Sequence, residues 1–155
     1  MTPHETDDLR SIAAHHEAGH AVVGAALGST FVRSWLEGSG AGWTEFGGGF
    51  LREHPHWFIL RCLAGPAAEA HLLGRPIAEV LAGATDERMA MDVLDDVKAP
   101  LSEALAAAES MVELHWPAIV SVAEVLLDRG TIEAEEFSRL FDPHLAALTE
   151  SARNS

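Results

Sequence analysis

Three residues near the N-terminus have the types and the spacing of a metal-dependent hydrolase. His16-Glu17-Ala18-Gly19-His20 is an H-E-x-x-H motif. Residues four apart on a helix point in the same direction, with Cβ atoms about 6 Å apart, so both imidazoles can bind one Zn²⁺ at about 2.0–2.1 Å. Glu17 is then offset toward the open side of the ion, where it can move a proton from water to the leaving amine. The motif predicts a zinc site with Glu17 as the catalytic base of a zinc metallopeptidase.

The pattern around the motif predicts the helix that this spacing requires. Apolar side chains and both histidines recur at steps of three and four over residues 7–27, which is typical of one face of an amphipathic helix. This stripe consists of Leu9, Ile12, His16, Gly19, His20, Val23 and Leu27. Residues 6–8 predict the N-terminal cap and first turn, and residues 28–29 predict the end. His15 lies off the stripe and is interpreted as a neighbour of the site.

Two histidines on an apolar stripe leave two interpretations open. Buried imidazoles without partners would cost free energy, and a shared metal ion removes that cost. Alternatively, His16 and His20 are core residues hydrogen-bonded to carbonyls or carboxylates, and Glu17 is a surface charge. The presence of Glu17 favours catalysis, because a purely structural zinc site needs no general base.

A third protein ligand must come from elsewhere in the chain, since a catalytic zinc ion usually has three protein ligands and one open position. The extended metzincin motif requires glycine and histidine where this chain has Val23 and Ala26, so that family is excluded. The remaining candidates are carboxylates and distant histidines, namely Glu69, Asp86, His54, His56 and His71. The residues alone leave the choice open, because Asp86 could equally complement a helix N-terminus.

The rest of the chain predicts a mainly α (α+β) fold, with one helical domain over residues 1–155 and a small β-hairpin or two-to-three-stranded sheet. Residues 31–36 predict a short strand, and residues 43–51, which include three consecutive glycines, predict a second. The predicted helices run from Pro55 to about Leu73, from a cap at Thr85 to about Lys98, from Pro100 to Asp128, and, as a short last helix, from a cap at Thr131. Gly74 and Gly130 are expected to end the first and third of these helices.

The segment 43–50 is also a candidate platform for substrate, because extended peptides often add a strand to a sheet edge and glycines permit a close backbone approach. The alternative is a flexible hairpin with two packed aromatic residues. Trp35, Trp57 and Trp116 are expected in the core. The chain has no tyrosine, so zinc, backbone N–H groups or a histidine such as His54 would have to stabilise an oxyanion.

The composition excludes several classes of function. With 10 Lys and Arg against 24 Asp and Glu, the net charge of −14 makes nucleic acid a poor partner. Cys62 is the single cysteine, which excludes an internal disulfide and a thiolate zinc cluster, and we interpret it as a core residue. The N-terminus does not resemble a signal peptide, and the apolar stretches are too short and too interrupted to predict a membrane span. A cytoplasmic location is therefore expected.

Five segments, in order along the chain, resemble the peptidase domain of the FtsH proteases, the membrane-bound AAA proteases of peptidase family M41. Residues 14–23, A-H-H-E-A-G-H-A-V-V, look like the zinc motif of that family. G-W-T at 42–44 resembles its G-Y-T strand, and L-A-G-P-A-A-E at 63–69 resembles its G-G-R-A-A-E helix. G-A-T-D at 83–86 resembles its G-A-x-N-D, and residues 122–137 resemble its C-terminal helical end. The likeness covers nearly the whole chain, from about residue 11 to 140.

The resemblance implies an FtsH-peptidase-like fold and completes the site. His16 and His20 would bind zinc, Glu17 would be the base, and Asp86 would be the third ligand, because the aspartate of G-A-x-N-D is the third zinc ligand in that family. The segment before Asp86 is one residue shorter than in the family and lacks its asparagine. Glu69 and Asp92 therefore stay alternative carboxylate ligands.

The resemblance also bears on partners. The chain has no Walker motif and none of the family's membrane helices, so it corresponds to the peptidase domain alone. A peptide or unfolded protein is the expected substrate, and a homo-oligomer or a separate ATPase is the expected assembly partner. The alternative function is a non-catalytic, zinc-binding regulatory or interaction module derived from such a peptidase.

Overall fold

The helix that carries the H-E-x-x-H motif is α1, Pro3–Ala26, in the computed structural model, which describes residues 2–38, 40–49, 53–81 and 85–155. It begins earlier than expected, so the prediction that residues 6–8 cap it is wrong. The reason is a capping box, in which Thr2 Oγ1 accepts from the N–H of Glu5 and the Glu5 carboxylate accepts from the N–H of Thr2 at 2.7 Å. Pro3 suits the first helical position because its missing N–H would have no partner there.

The other helices match the predicted ones closely, except at the C-terminus and at residues 77–80, where no helix was predicted. They are α2 (Pro55–Leu73), α3 (Ile77–Val80), α4 (Thr85–Val97), α5 (Leu101–Arg129) and α6 (Ala134–Arg153). Gly74 and Gly130 end α2 and α5 with φ of 66° and 77°, a left-handed conformation that glycine adopts without strain. Thr85, expected as a cap, is the first helical residue of α4. The last helix has 20 residues, so the prediction of a short one is wrong.

Three antiparallel strands form the predicted small sheet. The strands β1 (Phe31–Leu36), β2 (Gly42–Phe46) and β3 (Thr131–Glu133) lie in the order β2-β1-β3. Thr131 lies in β3, where its hydroxyl donates to the carbonyl of Ser34 at 3.2 Å, and does not cap a helix. The second strand ends at Phe46, before the glycines at 47–49, and residues 50–51 of the predicted strand lie outside the described residues. Since β2 pairs with β1 on one side, it forms an edge among the described strands.

Close packing of α1 on α2 brings the two histidines against a second helix. The contact is lined by small buried residues, and a Cβ added to Gly19 would lie 2.6 Å from the carbonyl oxygen of Ala64. Such residues let two helix backbones approach closely, which fixes the height and rotation of α1. Helix α5 packs on both and completes the core with side chains such as Val112 and Ile119.

The structure bears on two expectations about apolar residues. By length and composition α5 could cross a membrane, but a buried core helix has the same properties, so the expectation of no membrane span stays a prediction. Trp57, predicted in the core, is 42% exposed on α2. Trp116 does pack against the core, between the rings of His15 and His71.

Candidate metal centre

Helices α1 and α4 bring three potential metal ligands together. Asp86 Oδ2 lies 3.0 Å from His16 Nε2 and 3.0 Å from His20 Nε2, and the two Nε2 atoms are 3.2 Å apart. Tetrahedral zinc with bonds of about 2.0–2.1 Å would separate its ligand atoms by about 3.3 Å. The three side chains therefore form a group that could hold a metal ion.

The second nitrogen of each imidazole determines which atom can face a metal. His20 Nδ1 donates to the carbonyl oxygen of Arg61 at 2.8 Å, because a carbonyl can only accept. His16 Nδ1 lies 3.3 Å from the carboxylate of Glu69, which also only accepts when ionised. With both Nδ1 atoms protonated, the lone pairs of both Nε2 atoms and of Asp86 converge on one point. A proton shared with Asp86 or a metal ion at that point would satisfy these lone pairs, so the residues present fit a metal ion.

The charges of the group lead to the same conclusion. Burial lowers the pKa of His16, but hydrogen bonds to Asp86 and Glu69 and the charge of Glu17 outweigh it and raise the pKa to about 9. Burial also raises the pKa of Asp86, yet the hydrogen bonds from His16 and His20 hold it well below its usual range. The metal-free group therefore carries a proton at neutral pH, and a divalent cation must displace that proton to bind.

The sheet positions the predicted base. Glu17 is buried, at 6% exposure, and its Oε2 accepts from the hydroxyl of Thr44 at 2.6 Å. Thr44 has a single hydroxyl proton, so at 2.8 Å it accepts from the hydroxyl of its cross-strand partner Ser34. The relay Ser34–Thr44–Glu17 links the centre of the sheet to the carboxylate and limits its rotation.

A glycine in α2 leaves room for the group. A Cβ added to Gly65 would lie 2.7 Å from His16 Nε2 and still closer to His20 Nε2. Sequence reasoning noted the segment 63–69 but missed the role of Gly65, Thr44 and Ser34. A glycine followed by Pro66 inside a buried helix is a usable signal, because each is unfavourable in a helix interior and is there for another reason.

The other candidates from the sequence lie at different distances from the group. Glu69 is a partner of His16 rather than a member of the group, and Asp92 is on the exposed face of α4. His54 stacks on Trp57 with ring centroids 4.2 Å apart and is absent from the described lining of the cleft. The remaining two candidate histidines, His56 and His71, are also outside the described group.

Two further interpretations can be assessed. His15, interpreted as a neighbour of the site, is a buried core residue whose Nδ1 donates to the carbonyl of Ser11 at 2.8 Å. Cys62 is buried as predicted, and burial raises the pKa of its thiol to about 12, so it is no thiolate nucleophile at neutral pH.

A cleft of about 460 Å³ opens beside the group. Helices α1, α2 and α4 and strand β2 all contribute residues to its lining. The described residues that line it are His16, Glu17, His20, Gly42, Trp43, Thr44, Phe46, Arg61, Cys62, Thr85, Asp86 and Met89. Trp43, from β2, and Met89, from α4, are 56% and 43% exposed. The candidate ligands and the candidate base therefore share one accessible cleft.

Comparison with known proteins assigns the chain to no family. No protein-family model matches the chain, and no curated protein matches it. The resemblance to FtsH peptidases consequently stays a prediction from the five sequence segments.

Proposed function

We propose that this protein is a zinc-dependent metalloendopeptidase that hydrolyses peptide bonds in peptides or unfolded proteins. The observation that carries the proposal is the buried carboxylate of Glu17, held by Thr44 beside the candidate ligands in an accessible cleft. A structural zinc site is closed by four protein ligands and has no use for such a carboxylate. Three ligands with an adjacent base are typical of a catalytic site.

Zinc is the proposed metal because two imidazole nitrogens and one carboxylate oxygen are ligands that it accepts in a three-ligand catalytic site. When bound, zinc would polarise the scissile carbonyl and make a bound water more acidic. Glu69 and the carbonyl of Arg61 would hold the two imidazoles in the required tautomer and orientation.

Glu17 would move the proton. One of its carboxylate oxygens is fixed by Thr44, and its carboxylate would accept a proton from the attacking water and deliver it to the nitrogen of the leaving amine. The hydroxyl of Thr44 would keep the proton acceptor aligned through both transfers.

The substrate would lie along β2. This strand forms an edge of the described sheet and continues directly from Gly42, beside Glu17, to Phe46. An extended peptide could add as a further strand, with its backbone held by main-chain hydrogen bonds and its side chains in alternate pockets. The exposed indole of Trp43 and the thioether of Met89 would contact apolar side chains of the peptide.

Cleavage of casein and of a mixed peptide library by the purified, zinc-loaded protein tests the proposal. We expect cleavage that a chelator abolishes and zinc restores. Glu17→Gln should retain zinc, measured by elemental analysis, and lose at least about 100-fold in rate, the size of a general-base contribution. Glu124→Gln, an exposed substitution on α5, is the matched control and should behave as wild type.

The contrary result is equally specific. A protein that binds one zinc per chain but cleaves no substrate would refute the peptidase and favour a non-catalytic zinc-binding module. Cleavage that persists in Glu17→Gln would assign the activity to a contaminant or to another base.

A further inference from the structure

One cationic side chain shares the cleft with the proposed base. Arg61 is on α2, and its backbone and side chain have separate roles. Its carbonyl accepts from His20, whereas its guanidinium lies over the rings of Phe46 and Phe58, 4.4 and 5.1 Å from their centroids. Its Nη1 donates to the hydroxyl of Ser29 at 3.0 Å. Aromatic faces and a hydroxyl therefore hold the guanidinium in a defined position.

The charge of Arg61 is unusual for this cleft. Among the described lining residues it is the single Lys or Arg side chain, in a protein with 10 such residues against 24 acidic ones. A guanidinium has five N–H donors in a planar fork that matches a carboxylate, and that match is stronger where water is partly excluded. The acidic surface would repel an approaching anion, but screening limits that repulsion to about 8 Å at physiological salt. Within the cleft, Arg61 opposes the negative charges of Glu17 and Asp86.

Strand geometry relates Arg61 to the proposed bond-breaking position. Thr44 contacts Glu17. Phe46 is two residues further along β2, and the guanidinium of Arg61 lies over its ring. Residues two apart on a strand share a face and are separated by about 7 Å. A substrate strand beside β2 would thus bring a side chain one or two residues from the scissile bond to the guanidinium.

We propose that Arg61 is a specificity-determining residue that binds a substrate carboxylate within two residues of the scissile bond. The inference rests on the proposed peptidase function and names its substrate class. The carboxylate can come from an acidic side chain or from the C-terminus of the peptide, and both sources present the same two oxygens to the guanidinium.

Quenched fluorescent peptides distinguish the two sources. One set is amidated and carries Glu, Gln or Lys at each position within two residues of the cleavage site. A second set carries no acidic side chain and ends, within the same distance, in either an acid or an amide. We expect kcat/KM for the wild type to favour Glu over Gln at one position, or acid over amide, by about tenfold, and Lys to be the poorest.

Variants at position 61 assign the preference. Arg61→Met keeps an apolar stem between the two rings and should bring the Glu-to-Gln or acid-to-amide ratio close to one, whereas Arg61→Lys should retain part of it. Arg75→Met, which removes a cation after the end of α2, should leave the ratio as in wild type. The ratio within each variant is the readout, so a change in overall stability does not imitate the result.

Two results would overturn the inference while leaving the peptidase intact, namely ratios below about twofold at every position or a ratio unchanged in Arg61→Met. If the zinc-loaded wild type cleaves nothing, the proposed function fails and binding decides the role of Arg61. In that case, calorimetry with zinc-loaded Glu17→Gln protein should still show that peptides with the carboxylate bind more tightly than their Gln or amide counterparts. The difference should disappear in the double variant that also carries Arg61→Met. Equal binding of all peptides would then refute Arg61 as a carboxylate site.

Discussion

The replacement of Gly65 by alanine gives the sharpest test of the metal centre, because it adds one methyl group and no charge. The new Cβ would meet the Nε2 atoms of both His16 and His20, the atoms that face the proposed ion. Neither imidazole can rotate freely, because His20 is hydrogen-bonded to a backbone carbonyl and His16 is hydrogen-bonded to Glu69. The substitution should therefore displace the ligands rather than unfold the helix.

Gly65→Ala should have two opposing effects, one on the stability of the helix and one on zinc affinity. Alanine is more favourable than glycine in a helix interior by about 1 kcal/mol, so local helix propensity should rise. Zinc sites tolerate ligand displacements of about 0.2 Å, and the new methyl group requires more than that. Loss of outer contacts alone weakens metal binding by about 10–100-fold, so displacing two ligands should cost at least about 100-fold, equivalent to about 2.7 kcal/mol.

Competition with a chromophoric chelator measures the zinc affinity directly and needs no peptidase activity. Gly38→Ala is the control, because it makes the same substitution at an exposed position where an added Cβ would meet no atom within 4 Å. We expect Gly38→Ala to bind zinc and to melt as the wild type does, and Gly65→Ala to lower zinc affinity with a small effect on the melting temperature. Wild-type zinc affinity in a folded Gly65→Ala protein would refute the assignment of the ion to this position.

Three further predictions follow from the same contacts. Thr44→Val should keep the bound zinc but lower kcat by about 10–100-fold, since it removes a hydrogen bond to the charged Glu17 worth about 1.5–3 kcal/mol; an unchanged kcat would show that the relay is dispensable. Asp86→Asn should weaken zinc binding more than Glu69→Gln, for which about 10–100-fold is expected, and the reverse order would make Glu69 the ligand. Burial and the neighbouring His144 lower the pKa of His115 to about 4. As the pH falls, the unfolded chain therefore binds this proton before the folded protein does. The free energy of unfolding should decrease as the pH is lowered from about 6.5 to 4, by at most about 3 kcal/mol. Urea titrations of wild type and His115→Leu across that range measure the difference, and identical pH profiles would contradict the assignment.

The parts of the fold that depend on local sequence were predictable. Residues 31–36, 55–73 and 101–129 have clear periodicity or clear end signals, and their elements lie where expected. The end of the chain was not predictable in the same way, because Thr131 resembles a helix cap locally. Its pairing with β1 depends on residues almost a hundred positions away, and local patterns do not report such contacts.

The candidate site shows the same division. His16 and His20 follow from helical spacing within one element, so the sequence predicts that they share a face, with Glu17 offset beside it. Asp86 follows only from the resemblance, since its approach to α1 depends on how α4 packs. The hydroxyl of Thr44 was missed, because the alternation of a short exposed strand does not tell which residue meets a helix across the cleft.

The edge that β2 forms among the described strands also has a cost to the protein itself. A strand edge that can pair with a substrate peptide can also pair with an identical chain, so such an edge favours self-association. Glu45, the fourth residue of this strand, has a half-exposed carboxylate paired with Arg33 at 2.8 Å. An antiparallel copy docked on β2 would bring a second carboxylate toward the first, and that repulsion would oppose fibre growth while a foreign peptide without it could still bind.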